Sequence, residues 1–285
     1  MIGDERARGL AEQANNASLD DFMGLSPYLM HQLLYHTYED TSPVHLREVI
    51  DEDALDKIPL FRIIEEYLRI IEREGSIKLT PLGALQKKVV VELYYKRCIT
   101  EDSIENGISK LHREQDAPAI VSARHTAQLA GLVRSHNGRL FLTTMATSLL
   151  TSNDRVSLFR KVIQAFTNAF NWSYNDGYEP HRVAQVGWGY SLWLLATYGN
   201  QPLPMDFYAQ KYLRAFPMFL SEFQTTHRSP IESFVACYSL RTFIRGFNWL
   251  GFVNIVGRKT MSKEGLPIVV ATDLVKRVFT INIKV

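Results

Sequence analysis

Cysteine is nearly absent from this chain of 285 residues: only Cys98 and Cys237 occur. They are far apart and form no CxxC, so they exclude a disulfide-stapled fold and read as reduced core residues. Long hydrophobic runs are also missing. The longest uncharged stretch, 183–205, is interrupted by Gln185, Asn200, Gln201, Pro202 and Pro204. Its apolar part, near 186–198, is too short to span a bilayer and suits a buried helix. The opening residues Met1-Ile2-Gly3-Asp4-Glu5-Arg6 are polar and lead into no apolar run. A cytoplasmic protein with no membrane partner is the expectation. No GxxxxGK[ST], GxSxG or HExxH is present, so the common phosphate-loop, nucleophile-elbow and zincin chemistries have no sequence support.

A strong charge of one sign is lacking as well, since the formal net charge is +2. The total conceals a split. Residues 1–75 hold 7 Lys and Arg against 16 Asp and Glu, and residues 117–151 hold 3 Arg and no acid. An acidic first quarter precedes a basic remainder. It could cover a basic surface, or the two parts could face different partners.

The apolar spacing is mainly helical. Ser26-Pro27 and Ser229-Pro230 read as helix starts. A helix from about Leu60 to Glu74 has Ile63, Ile64, Tyr67, Leu68 and Ile71 on one face and Gly75 at its end. A short strand Ile77–Thr80 follows, then helices over Leu85–Arg97, Glu101–Leu111 and Ala117–Ala130. Leu132–Ser135 and Arg139–Leu142 form a hairpin around Asn137-Gly138, a strong turn signal. Helices preceding a hairpin are the pattern of a winged helix, with the hairpin as the wing. The C-terminal part repeats this plan. Helices over Ser191–Tyr198, Met205–Phe223 and Ser229 to about Leu250 precede a hairpin of Phe252–Val256 and Pro267–Ala271. A terminal strand over Thr280–Lys284 ends the chain.

The expected fold class is therefore mainly α with small β hairpins: tandem winged-helix-like modules joined by helices. The expected divisions are an acidic N-terminal helical segment over 1–56, a first module over 57–151, a helical connector over 152–184 and a second module over 185–285. The phrases Gly75-Ser76-Ile77-Lys78-Leu79-Thr80-Pro81-Leu82-Gly83, Leu129-Ala130-Gly131-Leu132-Val133, Asn171-Trp172-Ser173-Tyr174-Asn175-Asp176-Gly177-Tyr178 and Arg214-Ala215-Phe216-Pro217 resemble an uncharacterised bacterial protein family built from winged-helix-like modules. The resemblance extends from about Leu25 to the C-terminus. It implies architecture and brings no catalytic residue.

Winged helices most often bind duplex DNA, which makes the basic residues of these modules candidates. In the first module Arg124 and His125 lie on the presumed recognition helix, and Arg134, His136 and Arg139 lie on the wing. In the second, Arg241 and Arg245 are four apart on a helix, and Arg258, Lys259 and Lys263 lie on the wing. Arginine there could contact phosphates or a guanine edge. The alternative is a protein-interaction scaffold, binding a protein partner or a second copy of itself, without catalytic activity. No cofactor and no metal is expected. Asp176, Glu179 and His181 could ligate a metal, but Asn175-Asp176-Gly177 reads more simply as a turn. His31, His36 and His45 form no ligand motif. Glu65-Glu66 point different ways, so they are not a paired-carboxylate site. Gly187-Trp188-Gly189 lacks the third glycine of a dinucleotide loop. The stripe Phe207, Tyr208, Tyr212, Phe216, Phe219 and Phe223 reads as core, with a dimer face as its alternative.

Overall fold

The computed structural model describes residues 2–174, 176–178, 182–224, 228–257 and 267–282. In chain order the elements are α1 (Ile2–Asn16), α2 (Pro27–Tyr35), β1 (Val44–Leu46), α3 (Glu52–Asp56), α4 (Pro59–Glu74), β2 (Ile77–Lys78), α5 (Lys87–Tyr94) and α6 (Asp102–Glu105). Next come α7 (Pro118–Leu129), β3 (Val133–His136), β4 (Arg139–Leu142), α8 (Thr144–Thr151) and α9 (Arg155–Gln164), which runs on as a π-helical turn, Ala165–Ala169. The rest are α10 (Trp188–Tyr198), β5 (Leu203–Pro204), α11 (Met205–Ala215), α12 (Pro230–Tyr238) with its π-helical continuation Ser239–Phe247, β6 (Val253–Val256), β7 (Ile268–Ala271), α13 (Leu274–Val278) and β8 (Phe279–Ile281). The protein is mainly α with small antiparallel sheets, as its sequence implies. No helix among the described residues is long and apolar enough to cross a membrane.

The chain forms two compact units. One, the inserted unit, is residues 49–175 with 249–251; the other, the split unit, is 1–48, 176–248 and 252–285. This division differs from the one the sequence suggests. The expected connector contributes α9 to the inserted unit, because Leu158, Phe159, Val162 and Ile163 are buried there. Arg155 at the start of α9 donates to Glu65 at 2.7 Å and to Asp56 at 3.0 Å, and also to Glu52. Those hydrogen bonds, to Glu65 above all, hold its guanidinium firmly protonated. The acidic first quarter is divided too. Residues up to 48 belong to the split unit, where β1 pairs antiparallel with β8, Val44 opposite Ile281.

In the inserted unit α4 is the central helix. Its start has Pro59 at the first position, where a missing N–H costs nothing. Gly75 ends it at φ 69°, a left-handed conformation that glycine adopts without strain. Nine of its side chains are buried, among them Phe61, Ile64, Tyr67, Leu68 and Ile71. Phe61 meets Phe159 of α9 edge to face at 5.3 Å between ring centres. Glu114 is fully buried. Its two oxygens accept from the Leu85 N–H at 2.8 Å and from Arg124 Nε at 2.5 Å. One carboxylate thereby fixes the segment before α5, the turn at 114–116 and α7.

Each unit contains the same order of elements: helix, strand, two or more helices, then a hairpin. The inserted unit has α4, β2, α5, α7, β3 and β4; the split unit has α10, β5, α11, α12, β6 and β7. The sheets follow suit, with orders β2-β4-β3 and β5-β7-β6. The split unit buries the aromatic stripe of α11, with Tyr208 and Tyr212 inaccessible and Phe216, Phe219 and Phe223 buried beyond it. The Tyr212 hydroxyl donates to the Val186 carbonyl at 2.5 Å and accepts from the Ala184 N–H at 3.2 Å. The glycines around Trp188 serve packing. A Cβ on Gly189 would lie 2.5 Å from the Leu33 carbonyl oxygen and 2.9 Å from Thr37, so only glycine lets α10 approach α2 this closely.

Two stability measurements follow. Glu114→Ala leaves the Arg124 charge buried and unpaired, and should cost about 3–5 kcal/mol in urea unfolding, whereas Asp53→Ala, which breaks an exposed pair with Lys57, should cost about 1 kcal/mol or less. Gly189→Ala should lower the unfolding midpoint of the split unit, while Gly138→Ala, with open space around it, should act only through its positive φ.

Candidate nucleic-acid interface

The sequence points to α7 as a groove-reading helix. Its surroundings close it. It packs against α4, α5, the 114–116 turn and the π-helical turn after α9. Of its twelve residues, Ala119 to Arg124, Thr126 and Ala127 are buried, and Leu129 alone is exposed. Arg124 is not a surface reader. Besides its bond to Glu114 it donates to Gln128 Oε1 at 3.5 Å and meets His125 Nε2 at 3.3 Å. His125 is half-buried, with its ring edge on Tyr174 at 5.1 Å. A guanidinium can only donate, so Nε2 of His125 accepts and the ring is neutral. Burial, and then the Arg124 charge, push its pKa down to about 4.

Arg241 is likewise inside, its side chain inaccessible to solvent. Its Nε donates to Asp176 Oδ2 at 2.5 Å and its Nη1 to the Val183 carbonyl at 3.4 Å. The expectation that Arg124 and Arg241 face a ligand is thus corrected: each neutralises a buried carboxylate, which an isolated charge in the interior would require. Asp176 is engaged with Arg241 rather than open to a metal, and Glu179 and His181 lie outside the described residues. Among the described residues no cluster of His, Cys, Asp and Glu is arranged to hold a metal ion. Arg245 is half-buried on the π-helical stretch. Arg258, Lys259 and Lys263 lie outside the described residues.

The residues of the β3–β4 hairpin are different. Asn137 and Gly138 take positive φ, 48° and 68°, in a two-residue turn that fixes the hairpin register. Opposite residues share a face of the sheet. Ile77, Leu140 and Ser135 form one row, with Ile77 and Leu140 packed inside. The next row therefore points out: Lys78 opposite Arg139, and Arg139 opposite His136. Arg134 lies opposite Phe141 on the same outward face, with its guanidinium 4.9 Å from the ring centre. Lys78, Arg134, His136 and Arg139 are all exposed. Arg139 donates from Nε and Nη2 to Ser76 Oγ at 3.0 and 2.8 Å. Among the described residues neither Lys78, Arg134 nor Arg139 ion-pairs with a carboxylate.

A cleft of about 210 Å³ adjoins this face and is lined by Ser76, Lys78, Gln86, Lys88, Arg73 and Arg139, with Glu74 and Glu92. Arg73 pairs with both acids, at 3.0 Å to Glu74 and 2.8 Å to Glu92, and its single charge offsets one of them. With Lys78, Lys88 and Arg139 the cations of the lining still outnumber its two carboxylates. Like charges directly opposite on a sheet repel, which destabilises the sheet. Such a row is suited to an anion.

Lys78 and Lys88 were not picked out from the sequence. Pairing the strand at Ile77 with the hairpin would have revealed Lys78 beside Arg139, since both precede or follow an apolar residue in alternation. In the split unit the equivalent row is Pro204 opposite Ile268 and Ile268 opposite Val256. It is uncharged, and Val256 and Ile268 are exposed.

The state of His125 can be checked directly. Because its folded pKa is depressed, protons bind the unfolded chain more readily, so stability is full above about pH 6.5 and falls toward pH 4. An NMR titration should show the His125 ring neutral at pH 6, and His125→Gln should flatten this part of the stability–pH profile.

The model of the Y4jL N-terminal domain matches residues 56–156. No curated protein and no solved structure matches the chain. The matched segment runs from the residues just before α4 to the first turn of α9, and so takes in the whole β2-β4-β3 sheet. Over that segment the chain is similar to the Y4jL N-terminal domain.

Proposed function

We propose that the chain is a nucleic-acid-associated protein built from two winged-helix-like modules, in which phosphates are held on the outward face of the β2-β4-β3 sheet and not by α7. The observation that carries this reading is the cross-strand row Lys78–Arg139–His136, with Arg134 beside it and no carboxylate partner for the Lys or Arg side chains among the described residues. The order of elements and the sheet order support the winged-helix assignment. With α7 closed, base-edge readout has no element to perform it, and contacts to the sugar–phosphate backbone remain. Binding is therefore independent of sequence and strongly dependent on salt. The chain performs no chemistry on the nucleic acid in this reading.

A protein-interaction scaffold is the second reading, and one observation favours it: the equivalent row of the split unit is apolar and exposed. In that case Ile268→Lys would abolish self-association in sedimentation, and the sheet of the inserted unit would bind no nucleic acid.

A labelled duplex titrated at rising salt tests the first reading. Three phosphate contacts give a slope of about −2.7 in log affinity against log salt, or a loss of about 40-fold between 50 and 200 mM. The variant combining Lys78→Glu, Arg134→Glu and Arg139→Glu, all at exposed positions, should fold normally and lose binding. Absence of binding by the unaltered protein to both the duplex and its single strand at low salt would overturn the proposal.

A further inference from the structure

Four side chains point outward from the hairpin β3–β4: Arg134 and His136 from one strand, Phe141 and Arg139 from the other. Each ends in a flat group. A phosphate-holding surface needs charge, which the forks of Arg134 and Arg139 supply in a shape that matches phosphate. A planar ring on the central strand adds nothing to the hold on a phosphate. Phe141 is half-buried on β4, the middle strand of the sheet, and the Arg134 guanidinium lies over its face at 4.9 Å from the ring centre. The pair is an assembled cation–π contact, and Arg134 is exposed to solvent.

Flat π-faced groups among cations are what the faces of nucleic-acid bases stack on. A duplex hides those faces within its own base stack and offers only edges, in its grooves. The helix that would enter a groove, α7, is buried on nearly every side. A single strand exposes its base faces to a sheet. From this placement we infer that the ligand of the surface is a single-stranded nucleic acid, one base of which stacks on the Arg134–Phe141 pair while Lys78 and Arg139 hold neighbouring phosphates. The inference rests on the reading of the sheet as a nucleic-acid surface, and deepens it by naming the strand form and the stacking residue.

The test uses the full chain and two labelled probes of equal length, a mixed-sequence single-stranded oligonucleotide and its duplex, followed by fluorescence anisotropy at 50 mM and 200 mM salt. The single strand should bind about 10-fold more tightly than the duplex. Phe141→Leu keeps an apolar side chain and removes the ring; it should weaken single-strand binding about 10-fold, leave duplex binding and the salt dependence unchanged, and keep the unfolding midpoint near that of the parent. Phe141→Tyr, which retains the ring, should bind the single strand as the parent does, and so separates stacking from damage to the sheet. Equal affinity for the two probes, or a Phe141→Leu variant that binds the single strand as the parent does, would overturn the stacking inference and leave the phosphate surface standing. No binding of either probe at 50 mM salt would overturn both.

Discussion

A single carboxylate organises the inserted unit. Glu114 lies fully buried and accepts from a backbone N–H twenty-nine residues earlier and from a guanidinium ten residues later. Buried charge is tolerated only when paired and hydrogen-bonded. Meeting that condition determines where the segment at Leu85 and the helix α7 can lie. It also removes Arg124 from the surface. The basic helix that a linear reading presents as a ligand-facing element is instead a structural one, while Lys78, Arg134 and Arg139 on the sheet stay exposed.

Local rules carried the sequence reading a long way. The Asn137-Gly138 turn, the caps at Ser26 and Ser229, and the apolar stripe of α4 rest on neighbouring residues, and all are present. The failures differ in cause. The pairing of β1 with β8 joins residues at opposite ends of the chain, and no spacing rule reaches that far. The helix expected over Met205–Phe223 stops at Ala215 because Pro217 cannot continue it. The one expected over Glu101–Leu111 shortens to Asp102–Glu105 and gives way at Gly107, which takes a φ of 69°. The long helix from Ser229 widens into a π-helix at Ser239, for which the apolar pattern gave no warning.

Charge was the least readable feature. Arg124, Arg134, Arg139 and Arg241 are alike in the sequence, yet two are sealed in ion pairs and two are open to solvent. What separates them is the partner, and Glu114 and Asp176 could be matched to their arginines only in three dimensions. The acidic first quarter does not act as a single cover: Glu52, Asp56 and Glu65 converge on Arg155, while Asp21 pairs with Arg214 within the split unit.

The two units carry one order of elements with different rows at the same place in the sheet, cationic in one and apolar in the other. This contrast bears on colloidal behaviour. β3 and β6 are both edge strands, and an open edge invites pairing with another chain. Arg134 puts a charge on the β3 edge, so two copies of it repel. The outward positions of β6 are Asn254 and Val256, which provide no such gatekeeper. Resistance to aggregation in this chain is therefore uneven, and substitutions that strip charge from β3 would extend to the inserted unit a hazard that the split unit already carries.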